Sequence, residues 1–339
     1  MNLIGTGNDK NENKSGAVFP VCVYLPMPES QFNTPSPLQQ VCYSPLNKRN
    51  ITLYIKRDDR IHDEVSGNKW RKLKLNIEQA QQKGYDTLLT FGGAHSNHIA
   101  ATAATAAIFG LKSIGIIRGE DADPENPTLK FAAEKGMQLK FVSRSDYDTL
   151  QSWESKEILK EEFGSFYAIP QGGANFYGAQ GCMDIIYEID MDVDRIFVAC
   201  GTATTLSGMA IAAAGKIDIY GISVLKGGGF LIKEIEKNLH EVYQDIETER
   251  FVREKTHLLL PYHFGGYAKT TPELIAFMQE FTSETDIKLD PVYTAKAAYA
   301  MRKLAGNLND FRPEKWILIH TGGLQGIPAM ERKLGYSIY

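Results

Sequence analysis

Short apolar runs rich in β-branched residues alternate with helix-period segments along most of this 339-residue chain. That alternation leaves few folds open. Residues 88–91, 114–117, 139–142, 196–200, 217–224 and 316–320 read as short buried strands. Residues 69–83, 97–109, 127–135, 206–214, 272–283 and 292–305 read as helices between them. Strands that are apolar on both faces and separated by helices predict an α/β architecture of parallel-rich sheets covered on both sides. In such sheets, ligands sit where strand C-termini meet helix N-termini.

Composition narrows the function classes. The chain is 43% hydrophobic and 23% charged, with a net charge of −4, so a polyanionic nucleic-acid partner is not expected. It has no apolar run of 18 residues, so no membrane span is expected. Cys22, Cys42, Cys182 and Cys200 are scattered and form no CxxC pair. This predicts neither a zinc site nor a disulfide framework, and it points to a reducing, cytoplasmic setting. Residues 1–16 are polar, lack the apolar stretch of a signal peptide, and read as a disordered tail.

Three strand-to-helix junctions carry candidate chemistry. Gly201-Thr202-Ala203-Thr204-Thr205 follows an apolar strand and opens an Ala-rich helix. Exposed backbone amides, a helix dipole and threonine hydroxyls there suit one phosphate monoester. An ordinary turn with threonine caps has the same composition. It is neither a P-loop nor GxGxxG, which disfavours a Rossmann dehydrogenase. Ser66-Gly67-Asn68-Lys69 opens another helix. Lys69 there can point into a crevice and lose its proton readily, as imine chemistry requires. Equally, Lys69, Arg71, Lys72 and Lys74 can form a solvated basic helix start. Gly92-Gly93-Ala94-His95-Ser96-Asn97-His98 is the third junction, able to bind a carboxylate or simply to cap a helix. His95-x-x-His98 has no intervening glutamate and is not a zinc motif. Tyr267 and Tyr293 lie in loops where tyrosines either pack or donate protons. Asp58-Asp59 reads as a strand-end turn.

Taken in order, these segments resemble the 1-aminocyclopropane-1-carboxylate (ACC) deaminase / D-cysteine desulfhydrase family. The likeness runs through residues 55–59, Gly67-Asn68-Lys69-x-Arg71-Lys72, Gly92-Gly93-x-x-Ser96-Asn97-His98 and Gly172-Gly173-Ala174-Asn175. It continues through 201–208, Asp290-Pro291-Val292-Tyr293 and His320-Thr321-Gly322-Gly323. It spans residues 38–330. The resemblance implies a two-domain, tryptophan-synthase-β-like fold (fold type II) built around pyridoxal 5'-phosphate. A large cofactor domain would comprise 17–70 and 181–339, with a small α/β domain over 71–180. Lys69 would hold the cofactor as a Schiff base and then act as general base. Asn97 would face the cofactor's phenolic oxygen, and Gly201, Thr202, Ala203, Thr204 and Thr205 its phosphate. His95, Ser96, Asn97 and His98 would take the substrate carboxylate, with Tyr267 and Tyr293 on the substrate side.

Departures from the family pattern bear on the substrate. Family deaminases resemble Asp-Pro-Val-Tyr-Glu, with the glutamate on the pyridine nitrogen; this chain has Thr294. Thr321 is the remaining candidate partner, and a hydroxyl makes a weaker electron sink than a carboxylate. That favours β-elimination of D-cysteine or a related D-amino acid over opening a cyclopropane. A racemase or dehydratase of the same fold, and a non-enzymatic binding protein, are the competing readings. His95 stands where many members have glutamine, and Gln171 replaces an expected acidic residue. Family members are commonly homodimers, so a homodimer is expected.

Overall fold

Apolar residues at successive positions of the same strand fall into different cores, and this sorting organises the fold. Leu53, Ile55, Phe197, Ala199, Trp316 and Leu318 belong to one buried cluster. Ile196, Val198, Cys200, Ile317 and Ile319, their neighbours in sequence, belong to another. The period of two sends successive side chains to opposite faces, and both faces are covered.

The computed structural model describes residues 31–65, 67–152 and 155–339. The expected tail over 1–16, together with Cys22 and Ser66, lies outside the described residues. The strands are β1 (Leu38–Val41), β2 (Ile51–Lys56), β3 (Thr87–Gly93), β4 (Lys112–Arg118), β5 (Met137–Val142) and β6 (Tyr167–Ile169), then β7 (Arg195–Cys200), β8 (Asp218–Ser223), β9 (Thr256–Leu259) and β10 (Glu314–Ile319). They form a six-stranded sheet in the order β1-β2-β10-β7-β8-β9 and a four-stranded sheet in the order β5-β4-β3-β6. Every pairing is parallel except β1 with β2. The α/β expectation therefore holds, with each predicted strand inside an observed one or within a residue or so of its ends.

Five helices position the site: α1 (Asn68–Gln82), α2 (Asn97–Ile108), α3 (Phe176–Cys182), α4 (Thr204–Ala213) and α5 (Thr294–Gly306). Helix α5 starts two residues later than its apolar pattern predicts. The Asp290 carboxylate accepts hydrogen bonds from the amides of Val292, Tyr293 and Thr294 at 2.8–2.9 Å and so fixes the start. Helix α4 packs tightly on α3. A Cβ at Gly208 would lie 2.1 Å from the Ala179 carbonyl oxygen, so the close approach needs glycine.

The C-terminal ends of β3, β7 and β10 and the N-termini of α1, α2 and α4 converge on one cavity of about 920 Å³. It lies where open parallel sheets place their ligands, and its volume suits a cofactor with a small substrate.

Candidate active site

Gly67 sets the entry to α1. Its φ is +69°, and an added Cβ would lie 1.8 Å from the Thr321 carbonyl oxygen, so only glycine fits the turn. That contact seats the first turn of α1 against the loop after β10. Lys69, half-buried, follows on the cavity wall. Its Nζ donates to Asn68 Oδ1 at 3.1 Å, and Asn68 Nδ2 donates to Thr205 Oγ1 at 3.0 Å, tying the lysine to the start of α4. Burial, followed by repulsion from Lys72, brings the Lys69 pKa down to about 7. A neutral, nucleophilic amine is therefore available near neutral pH.

A charged network anchors α1 from behind. Arg71 Nε and Nη2 donate to the two Asp58 oxygens at 2.7 Å, and its Nη1 and Nη2 donate to Glu188 at 2.9 and 2.8 Å. Lys56 Nζ reaches Glu188 Oε2 and the Ser36 carbonyl, both at 2.6 Å. Asp58 is fully buried. Asp58 and Asp59 do end a strand, as predicted, but Asp58 also holds the lysine-bearing helix through Arg71.

The turn after β7 is built for an anion. Ala203 takes a left-handed conformation (φ 57°), and no side chain caps α4, which leaves its first amides open. Thr202 and Thr204 hydroxyls lie 2.9 Å apart, and Lys72 Nζ donates to Thr202 Oγ1 at 3.3 Å. Lys72 is only 3% exposed, and burial lowers its pKa. The solvated-helix reading thus fails for Arg71 and Lys72. Sequence reasoning also missed Lys72 as the cation of this turn. The available signal was its spacing of three from Lys69, which puts both on one helix face.

At the β3–α2 junction, the Ser96 hydroxyl caps α2, accepting from the amides of His98 and Ile99 at 3.3 and 3.4 Å. His95 is exposed and Asn97 half-buried on the same cavity rim. His98 is buried. Its Nε2 lies 2.8 Å from Thr90 Oγ1, and that hydroxyl donates to the Ile169 carbonyl at 2.8 Å. With the Thr90 proton so committed, its oxygen is free to accept from Nε2–H. Nδ1 has no hydrogen-bond partner among the described residues. Burial, then Lys69 and Lys72, push the His98 pKa well below its ordinary range, so the ring is neutral.

The opposite wall carries the tyrosines. Tyr293 lies across the phosphate-type turn, its Cε1 3.4 Å from where a Gly201 Cβ would be. Its hydroxyl donates to that of Tyr267 at 3.4 Å, with the rings edge-to-face at 6.0 Å. Burial, and secondarily Tyr267, raise the Tyr293 pKa, keeping it protonated. Thr321 lines the cavity. Thr294 is fully buried and spends its hydroxyl on Asp290 Oδ1 at 2.5 Å. Gln171 lines the cavity and accepts from Tyr147 at 3.1 Å. All the sequence-predicted site residues except Thr204 line this one cavity; Thr204 touches it through its contact with Thr202. Among the described residues, no cluster of metal-ligating side chains occurs.

Open helix amides, threonine hydroxyls and a buried ammonium fit a phosphate, and a near-neutral amine fits an aldehyde. The donor set therefore fits pyridoxal 5'-phosphate. The sequence pattern of the family described as pyridoxal-phosphate dependent enzyme matches residues 30–322, and the chain belongs to that family.

Within it, the relatives are those the motifs resemble. The bifunctional D-cysteine desulfhydrase/1-aminocyclopropane-1-carboxylate deaminase, mitochondrial, of Arabidopsis thaliana is 30% identical over 90% of this chain and 78% of its own length. The D-cysteine desulfhydrase of Klebsiella pneumoniae is 28% identical over 82% of this chain and 88% of its own length. The crystal structure of an ACC deaminase homologue is 30% identical and superposes with a TM-score of 0.75, covering 90% of this chain and 94% of that one. The expected fold type and cofactor class both hold. No helix among the described residues is long and apolar enough to cross a membrane.

Proposed function

We propose that this enzyme breaks down D-cysteine, or a closely related D-amino acid, by β-elimination of sulfide, the aminoacrylate so released being hydrolysed by water to pyruvate and ammonia. The observation that carries the substrate preference is the state of residues 290–294. The Asp290 carboxylate is spent on three amides and the Thr294 hydroxyl, and no glutamate stands at 294. Thr321 is left to offer the cofactor nitrogen a hydroxyl. Such a partner suits expulsion of a good leaving group better than cleavage of a carbon–carbon bond.

The cofactor, when bound, supplies an electron sink for negative charge at the substrate's α-carbon. The chain's own residues would do the rest. Lys69 would hold the cofactor and, once freed by the substrate amine, would take the α-proton at Nζ, a role that its pKa of about 7 supports. Lys72, the amides and hydroxyls of Thr202, Thr204 and Thr205, and the amides of Gly201 and Ala203 would hold the phosphate. Asn97 would face the cofactor's phenolic oxygen. Ser96 and Asn97, with His95 at the rim and His98 behind, orient the substrate carboxylate, which selects the bond to be broken. The Tyr293 hydroxyl, paired with that of Tyr267, would donate a proton to the departing sulfur.

We also infer a large domain of 17–70 and 181–339 with a small domain of 71–180, a homodimer, and a cytoplasmic setting. The unpaired thiols of Cys42, Cys182 and Cys200 support the last.

The test is turnover by the cofactor-loaded protein on D-cysteine, L-cysteine, D-serine and ACC. Sulfide and pyruvate should come from D-cysteine, with no α-ketobutyrate from ACC. Release from ACC with D-cysteine inert would overturn the assignment.

A further inference from the structure

Lys296 is a fully buried ammonium that the proposed β-elimination does not use. It lies on α5, one turn beyond Tyr293; its amide donates to the Tyr293 carbonyl at 3.1 Å. Its Nζ donates to the carbonyls of His263 at 2.9 Å and Gly266 at 2.8 Å. No carboxylate lies within ion-pairing distance of it among the described residues. Burial brings its pKa down to about 8, against the pull of Asp290. An ammonium buried with only neutral partners is expensive, and a methionine or leucine would fill the same volume without that penalty. The position of the two carbonyls explains what the charge does.

Both belong to the loop between β9 and the helix Pro272–Thr285, which presents Tyr267 to the cavity. This loop is strained. Phe264 (φ 51°), Gly265 (92°), Gly266 (120°) and Ala268 (52°) all lie in the left-handed region, which non-glycine residues enter at a cost. A loop of that kind keeps one shape only when its surroundings over-determine it. Lys296 clamps it on the N-terminal side of Tyr267 to the same helix turn that carries Tyr293. That turn is itself fixed by the Asp290 amide contacts. Lys296 thus ties together the two elements from which the tyrosines reach the cavity, while Lys333 Nζ donates to the Ala268 carbonyl on the other side of Tyr267 at 3.4 Å.

We propose that Lys296 is a positioning residue: it holds Tyr267 against Tyr293, and through that pair governs turnover without taking part in cofactor capture. This rests on the tyrosine pair serving the reaction as proton donor. The test is a double-mutant cycle in the cofactor-loaded enzyme, using Lys296→Met and Tyr267→Phe with D-cysteine. Lys296→Met should lower kcat by about 10- to 100-fold while leaving the cofactor covalently attached at Lys69. Tyr267→Phe should then add little in that background, because both changes remove the same interaction. In the cofactor-free protein, amide exchange across 262–269 should accelerate by about tenfold or more, with the rest of the molecule unchanged.

Equal penalties for Tyr267→Phe in both backgrounds would overturn the proposal, as would unchanged exchange in that loop. If Lys296→Met does not fold, Lys296→Gln, which keeps N–H donors on a shorter, uncharged side chain, takes its place. Failure of both to fold would assign the lysine to folding and refute the positioning role. A parent enzyme that neither binds cofactor nor turns over D-cysteine would instead fault the functional assignment, and the exchange measurement would still judge the clamp.

Discussion

Lys69 and Lys72 sit one turn apart on the same helix face; burial makes both harder to charge, and Lys72 adds its repulsion to Lys69. The consequences differ because their partners differ. Lys69 has a folded pKa of about 7 against an ordinary 10.5, so the folded protein binds fewer protons than the unfolded chain between those values. The Lys69 contribution should therefore make the cofactor-free protein more stable as pH climbs through that window, and least stable below about 7. Denaturant melts of the parent and Lys69→Met proteins at pH 6 and 9 check the sign; a gap between them that does not narrow toward pH 9 would be contrary. Lys72 is aimed at the Thr202 hydroxyl, in the turn proposed to hold the phosphate. Lys72→Met should weaken cofactor binding by about 10- to 100-fold, the worth of a charge-assisted hydrogen bond, as read by cofactor titration. Neither lysine's direction follows from its place in the sequence. The spacing puts them on one face, but only the tertiary contact with α4 says that this face looks into a cavity.

Helix α1 is held in place by side chains that are distant in sequence. Arg71, Asp58 and Glu188 come from three separate elements, and Ser36 and Lys56 complete the set. Arg71→Met would leave the buried Asp58 carboxylate without its ion-pair partner and the half-buried Glu188 with Lys56 alone, which should cost about 3–5 kcal/mol in denaturant unfolding of the cofactor-free protein. Burial alone would raise the Glu188 pKa, but the hydrogen bonds and charge of Arg71, then Lys56, outweigh it and hold it at about 2. Its contribution is thus in place above about pH 4.5 and is lost as pH falls from there toward 2. Periodicity exposes the buried strands β3, β4, β5, β7, β8 and β10, whose short apolar stretches are bounded by turn residues and separated by helix-period segments. It passes over β1, β6 and β9, which have four, three and four residues, too few to show a period. It also cannot see the Arg71 network, whose partners meet only after the chain has folded.

Across the whole molecule, the reactive groups divide between the surroundings of the two sheets. β3 and α2 bring Ser96, Asn97 and His98, while β7, β10 and α5 bring the threonine turn, Thr321 and Tyr293. Lys69 and Lys72 stand between them on α1. Motif order in the sequence carries this convergence almost completely, because parallel sheets deliver their strand C-termini to one edge. What it leaves out is supplied by packing: the cation at the phosphate turn, the commitment of Asp290 to backbone amides, and the Lys296 clamp. The most direct test of Lys69 as the cofactor's anchor is borohydride reduction of the cofactor-loaded protein followed by peptide mass spectrometry. A single pyridoxyl-phosphate adduct on Lys69, absent from Lys69→Ala, is the expected result. An adduct on Lys72 or elsewhere, or the same absorption and trapping in Lys69→Ala, would contradict it.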